Sequence, residues 1–292
     1  MDTITLKAYA KLNLTLGVLF RRADGYHALD MLMQGIDLFD TVTVSRAREI
    51  HVTASGAVLP YDNTLKKAAE VFFDTLDLKN HGAEIRVIKR IPSEAGMGGG
   101  SADAAAVLEA LQQLYGEPDN RTLYDMALRV GADVPFCLYL EKGGSIARAE
   151  GIGERLTPLH SLPMAFVVLK PTEGVSTGKL FSSLTLPRRS PETMRAIAAV
   201  GRQDLPALAS FAFNALEAPA VTLVPEIGTL IARLKNAGAL GACMTGSGSA
   251  VFGVFSGLAS AKAALETFSD VPFAVAVEGL TDSFSARNAA SV

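Results

Sequence analysis

The chain has only two cysteines, Cys137 and Cys243, four histidines, and no CxxC or HExxH pattern. That scarcity argues against a disulfide framework and against a structural zinc site. Two buried free thiols in a reducing cytoplasm are expected instead. A basic excess is also missing. The 27 Lys and Arg against 30 Asp and Glu leave a net charge of -3, which argues against bulk nucleic-acid or membrane binding. No apolar run reaches the roughly eighteen residues of a spanning helix. The N-terminal MDTITLKAYAKLNLTLGVL alternates as a strand does and lacks the charged start and continuous apolar run of a signal peptide. There is no internal repeat and no low-complexity linker.

What is present is a 292-residue chain, 49% hydrophobic and 20% charged, the composition of a soluble protein with a sizeable core, at a length that favours two domains. KLNLTL places Leu12, Leu14 and Leu16 on one strand face and Lys11, Asn13 and Thr15 on the other. TVTV at Thr41–Val44 and EIRVI at Glu84–Ile88 read as further strands. Asp62 and Asn63 offer a helix cap before Leu65, Ala68, Ala69, Phe72, Phe73 and Leu76 at helical spacing. A second helix carries Val107, Leu108, Leu111, Leu114 and Tyr115 on one stripe and stops at Gly116. The rhythm restarts after Leu156: a strand at Met164–Leu169, a helix at Pro225–Asn236, a hairpin through TGSGS, a helix near Leu258–Thr267 and a last strand FAVAVE. LTPLHSLP at Leu156–Pro163 is the expected boundary, giving segments 1–157 and 158–292.

The densest chemical signal is IPSEAGMGGGSADAA. Gly96, Gly98, Gly99 and Gly100 stand directly before a helix pattern, with Ser101 and Asp103 in its opening turn. Orphan backbone amides and the helix dipole make such a terminus an anion site, while a tight structural turn is the rival explanation. The dinucleotide fingerprint fails because Ser101 occupies its last glycine position. The P-loop fails because no Lys-Thr or Lys-Ser pair follows. Ser101 either caps the helix or faces a phosphate or metal, and Asp103 either reaches the site or favours the dipole.

The glycine stretch resembles the second motif of the GHMP kinases, small-molecule kinases of galactose, homoserine, mevalonate and phosphomevalonate. AKLNLTL at Ala10–Leu16 resembles their first motif and MTGSGSAVFGVF at Met244–Phe255 their third. RADGYHALDMLMQ at Arg22–Gln34, followed by Asp40, and GADVPF at Gly131–Phe136 resemble the branch whose acceptor is a cytidine-diphosphate-linked methylerythritol, in non-mevalonate isoprenoid synthesis. The resemblance implies an α+β, two-domain fold. Its N-terminal α/β domain would be like ribosomal protein S5 domain 2 and its C-terminal domain ferredoxin-like. Met31 departs from the family's usual small hydroxyl residue, an expected packing difference.

What the resemblance implies for single residues is specific. Lys11 and Asp133 are the catalytic pair, Asp133 taking or orienting the hydroxyl proton and Lys11 supplying positive charge. ATP is held by Pro92, Gly96, Met97, Gly98, Gly99, Gly100 and Ser101, with Asn63 at the adenine. Asn13, Tyr26, His27, Phe181, Thr245, Gly246 and Ser247 meet the acceptor, His27 reading the cytosine edge. Mg²⁺ is held chiefly by phosphates with no dedicated metal ligands, Ser101 being the one candidate hydroxyl. Read without the resemblance, Asp133 is a helix cap or a turn aspartate before Pro135, Lys11 a solvated strand lysine, Asn63 a cap, TGSG a hairpin turn and Phe181 core. His51, His81 and His160 read as surface or core. The expected partner is a small molecule, with no nucleic acid or membrane, in a cytoplasmic monomer or weak homodimer. Another GHMP kinase and a non-catalytic nucleotide-binding module are the alternatives.

Overall fold

Alternation in the first segment has the consequence its period requires. β1 is one extended strand, Thr3–Arg21, yet both of its faces are buried at the motif. Lys11, Asn13 and Thr15 are 2%, 1% and 0% exposed, which removes the reading of Lys11 as a solvated strand lysine. The computed structural model describes residues 2–79, 81–116, 118–175, 178, 180 and 191–282. These gather into two compact units that interleave along the chain. One is Met1–Ala10, Leu38–Pro92 and Gly98–Gly143, and the other Lys11–Asp37, Ser93–Met97 and Gly144–Val292. Their limits therefore do not coincide with one break after residue 157, because β1 and β2 (His27–Ala47) pass through both.

In the first unit the C-terminal part of β2 pairs antiparallel with β4 (Gly82–Ile88), from Thr41 opposite Ile88 to Ala47 opposite Gly82. β3 (His51–Ser55) adds to the other side of β4 in parallel. Four helices complete the unit: α1 (Thr64–Thr75), α2 (Gly99–Tyr115), α3 (Asn120–Val130) and α4 (Val134–Glu141). Asn63 caps α1, its side chain accepting from the Lys66 amide at 3.0 Å, and Leu65, Ala68, Ala69, Phe72 and Phe73 are buried as their spacing predicts. α2 is buried on more than the one stripe expected. It packs against α1, α3 and α4, and Ala102, Ala104, Ala105, Ala106 and Ala110 are all fully buried. A run of alanines lets neighbouring helices close on it from several sides, which a periodicity of large residues does not reveal.

In the second unit Leu29–Gln34 of β2 pairs antiparallel with β5 (Ile146–Gly151), and β5 with β6 (Arg155–Leu159). Leu156–Leu159, expected as boundary, is therefore strand. Pro158 is tolerated there because β6 is an edge, paired among the described residues with β5 alone. A second sheet has the order β11-β7-β10-β9, all antiparallel, formed by β7 (Ala165–Lys170), β9 (Gly241–Met244), β10 (Val251–Phe255) and β11 (Phe273–Glu278). With the amphipathic helix Glu226–Asn236 before β9 and Leu258–Leu265 after β10, this is the expected ferredoxin-like arrangement. A two-residue strand, β8 (Phe213–Asn214), lies parallel to β1 at Thr15–Leu16. Cys137 and Cys243 are buried free thiols, and no helix among the described residues is long and apolar enough to cross a membrane.

One polar cluster is built into the packing of the first unit. Lys142 Nζ bridges Glu109 and, at 2.6 Å, Gln112 Oε1. The Oε1 atom of Glu141 is shut off from solvent with no hydrogen-bond partner among the described residues. Burial raises the Glu141 carboxyl well above its usual range, Glu109 adds to this and Lys142 opposes it. The folded state thus keeps a proton that the unfolded chain releases. Stability from this group is complete below the unfolded value of 4.5 and is lost as pH rises toward the folded value. Glu141→Gln, which carries no charge to bury, should raise the melting temperature by about 2–4 °C above pH 7. The gain should shrink in acid, as thermal unfolding across a pH series will show.

Candidate active site

The first, second and third motifs come together within the second unit, around Lys11. The Lys11 amide donates to Met97 O at 3.1 Å, and its ammonium donates to Asn13 Oδ1 at 2.7 Å and Gly96 O at 2.9 Å. The Asn13 amide donates to Thr245 Oγ1 at 3.0 Å. The third motif is tied to the second along a further pair of bonds, Ser249 N–H to Glu94 O at 3.1 Å and Ala250 N–H to Ala95 O at 3.3 Å. Two of the glycines exist for this meeting. A Cβ on Gly96 would lie 2.1 Å from Thr245 O, and one on Gly246 would lie 2.6 Å from Gly96 O. Both also sit at positive φ, 69° and 55°, where a side chain is strained.

In the first unit the glycines open α2. Gly98, at φ 71°, is its N-cap and provides no side-chain cap, so Ser101, the third helical residue, is not the cap that the sequence allowed. The amides of Gly99, Gly100 and Ser101 have no carbonyl four residues back within the helix. The carbonyl Ser101 would use in a longer helix, Met97 O, instead accepts from Lys11. A helix start with orphan amides, no capping side chain and the positive end of the dipole can receive an anion. The Thr64 hydroxyl braces it by donating to Gly100 O at 2.7 Å, and Pro92, itself half-buried, leads into it after the bend at the buried Ile91.

A buried ion cluster fixes this helix start to the sheet. Lys89 Nζ lies between Asp40 Oδ2 and Asp103 Oδ2, the latter at 2.6 Å. Asp40 also accepts the amides of Arg90 and, at 2.9 Å, Ile91. Both carboxylates are wholly buried, so Asp103 does not merely favour the dipole. Burial drives its carboxyl up, Lys89 opposes and Asp40 reinforces, with the balance at about 7. Two carboxylates share one ammonium, and removing Lys89 would leave them uncompensated at a cost of about 3–5 kcal/mol.

Asp133 stands at the N-cap position of α4, yet its side chain makes no cap hydrogen bond. The helix-cap explanation for a carboxylate in GADVPF therefore fails. Asn63, by contrast, is engaged as a cap and also donates to Pro60 O at 3.0 Å. At the turn between β1 and β2, Tyr26 is 60% exposed and held by its backbone, its amide donating to Asp24 Oδ1 at 3.1 Å. His27 is half-buried at the start of β2. Burial and the nearby Arg21 hold its imidazole below the usual range, which favours the neutral form. Met31 does more than fill space, its sulfur accepting from Asn13 Nδ2 at 3.2 Å. Ser247 is half-buried in the third turn, and Phe181 lies outside the described residues.

Three residues that hold the site's loops were not singled out from the sequence: Lys89 between Asp40 and Asp103, Asn214, which donates to Met244 O and Gly246 O, and Glu217, which accepts from Met244 N–H. Lys89 sits in the charged pair KR and reads as surface. Asn214 and Glu217, in FNALE, are short-range cap residues by pattern. Only the fully apolar neighbours of Asp103 and Asn214 hinted that those polar groups needed buried partners.

A family profile described as GHMP kinases N terminal domain matches residues 63–141, and one described as GHMP kinases C terminal matches residues 196–272. A protein of Alkaliphilus metalliredigens named 4-diphosphocytidyl-2-C-methyl-D-erythritol kinase is 39% identical over 277 residues, 92% of this chain and 94% of its own. One of Acetivibrio thermocellus with the same name is 41% identical over 262 residues, covering 87% and 91%. The crystal structure of a 4-(cytidine 5'-diphospho)-2C-methyl-D-erythritol kinase matches with a TM-score of 0.78 at 36% identity, over 94% of this chain and 99% of that one. A homoserine kinase of Cytophaga hutchinsonii, TM-score 0.72 at 17% identity over 96% and 95%, shares the fold.

The glycine contacts make a direct test of why the second motif is glycine-rich. Gly96→Ala should cost well over the roughly 1 kcal/mol of an ordinary strained alanine, because backbone oxygen blocks its Cβ. Urea unfolding of Gly96→Ala beside Gly98→Ala should show the first variant far less stable. Equal losses would mean that the loops are free to part.

Proposed function

Because the chain belongs to the GHMP kinases, and within them to the family of the 4-diphosphocytidyl-2-C-methyl-D-erythritol kinases, we infer that it transfers the γ-phosphoryl group of ATP to the 2-hydroxyl of 4-diphosphocytidyl-2-C-methyl-D-erythritol. The product is the 2-phosphate, in the non-mevalonate route to isoprenoid precursors. The observation that carries this reading is the convergence of three distant motifs on Lys11. Phosphoryl transfer asks a protein for positioning and charge more than for covalent chemistry, and a cation fixed by two acceptors beside a glycine turn suits that demand.

The roles follow from the chemistry of each group. Orphan amides at the start of α2, with Gly98, Gly99, Gly100 and Ser101, take the ATP phosphates, as do Pro92, Gly96 and Met97 by their place in the same loop. Asn63, already used as a cap, presents the α1 end to the adenine. Lys11 neutralises charge that develops on the transferring group, and Asp133, with no capping duty, accepts or orients the hydroxyl proton. Asn13, Thr245, Gly246 and Ser247 hold the acceptor's polar part. A neutral His27 can both donate to and accept from the cytosine edge, Tyr26 offers an exposed ring to stack on the pyrimidine, and Phe181 is assigned to the same base. Mg²⁺ would arrive on the phosphates, with Ser101 as the hydroxyl suited to it. Among the described residues no three His, Cys, Asp or Glu side chains form a metal-binding group. Two buried free thiols accord with a cytoplasmic setting.

Asp133→Asn keeps shape but loses both charge and proton acceptance. Turnover in a coupled assay should fall about 10²–10⁴-fold with nucleotide binding retained, and a loss of only a few-fold would remove Asp133 from the chemistry. His27→Ala should raise the KM for the cytidine acceptor and spare that for ATP. Acceptor orientation also contributes to kcat, since remote binding energy positions the reacting end, so the ATP constant is the control. Equal weakening of both would mean a collapsed turn.

A further inference from the structure

The third glycine turn is held by two side chains that no motif includes. Asn214 ends β8, which is paired with Thr15–Leu16 of β1, and the next amide, Ala215 N–H, donates to Leu16 O at 2.9 Å. It is therefore anchored to the strand that carries Lys11 and Asn13. Asn214 is buried and spends both amide hydrogens on the turn, donating from Nδ2 to Met244 O at 2.9 Å and Gly246 O at 2.8 Å. Its Oδ1 accepts from Leu216 N–H at 2.9 Å. Turning the amide over would aim an oxygen at two carbonyls, so the network itself fixes the orientation. Glu217, first residue of the helix Glu217–Leu223, accepts from Met244 N–H at 2.9 Å and from the Cys243 thiol at 3.1 Å.

Both polar ends of Met244 are thus gripped from one four-residue segment. Thr245 is spent as well: its amide donates to Ala250 O at 3.0 Å, its carbonyl accepts from Gly248 N–H at 2.9 Å, and its hydroxyl accepts from Asn13 N–H. Backbone groups fully used in this way cannot turn toward a ligand or away from it without breaking several bonds at once. We propose that Asn214 and Glu217 are positioning residues for the acceptor, clamping Met244–Gly246 so that the turn meets the acceptor's diphosphate in one fixed conformation. This rests on the kinase reading above. Neither residue touches substrate in this scheme; each acts through the turn's backbone.

The test uses the full chain with ATP and 4-diphosphocytidyl-2-C-methyl-D-erythritol. Asn214→Asp is isosteric but turns a carboxylate toward two carbonyl oxygens. It should raise the acceptor KM by about ten- to a hundredfold, the size of losing two buried hydrogen bonds, while the ATP KM stays within a few-fold. Lowering the pH lets the new carboxyl regain a proton and one donated bond, so the penalty relative to the parent should shrink in acid. Glu217→Gln keeps an oxygen for Met244 N–H and should lie close to the parent, whereas Glu217→Ala should show the acceptor defect. If Asn214→Asp does not fold, the Glu217 pair decides. An unchanged acceptor KM, equal rises for both substrates, or Glu217→Gln as impaired as Glu217→Ala would overturn the clamp. A parent protein that does not turn over this acceptor overturns the kinase reading instead.

Discussion

The carbonyl of Gly96 is the point on which the site depends. It receives the Lys11 ammonium at 2.9 Å, and the backbone around it leaves no room for a side chain against Thr245 or Gly246. Main chain packed on main chain is possible only where Cβ atoms are missing, and backbone groups at such a contact must find partners because water cannot reach them. Here the partners come from the other two motifs. The lysine, to which the proposed function gives the charge for chemistry, is also a tie between loops, and its ordered position depends on the glycines beside it.

Three carboxylates of this protein are surrounded by opposite charge or hydrogen-bond donors. Asp40 collects Lys89 and two amides, Glu217 an amide and a thiol, and Asp30 a bidentate contact from Arg148, whose Nε and Nη2 lie 2.9 and 3.2 Å from its oxygens. Burial and the Glu217 carboxylate raise the Cys243 thiol well above its usual range, so it stays a hydrogen-bond donor and is poorly suited to reaction. Such arrangements are costly to break on one side and gain modestly when whole.

Much of this was legible because local patterns and physical need coincided. Alternation in KLNLTL, the Asn63 cap, the glycine start of α2 and the hairpin through TGSGS each follow from a period or a backbone requirement that two to fifteen neighbouring residues express. The remainder depends on partners distant in sequence. Lys89 looks like a surface charge until Asp40 and Asp103, from β2 and α2, close around it. Ser101 looks like a cap until Gly98 takes the position in a left-handed conformation. Asn214 reads as a turn residue, since nothing near it shows that two carbonyls thirty residues on need its hydrogens. The interleaved units were hidden for the same reason: β1 and β2 are uniform strands that happen to serve both.

α2 begins without a capping side chain, and on the function proposed above that omission gives the nucleotide a thermodynamic role besides its chemical one. A helix whose first amides wait for an anion is incomplete by about the worth of a cap, roughly 0.5–2 kcal/mol, until phosphate oxygens arrive. In the proposed complex, nucleotide acts as the missing end of a secondary-structure element. Any ligand that binds the folded chain alone raises its apparent stability with concentration, and here the gain falls on the helix that packs against α1, α3 and α4. On that proposed function, the chain's resistance to heat rises with the concentration of its own phosphoryl donor.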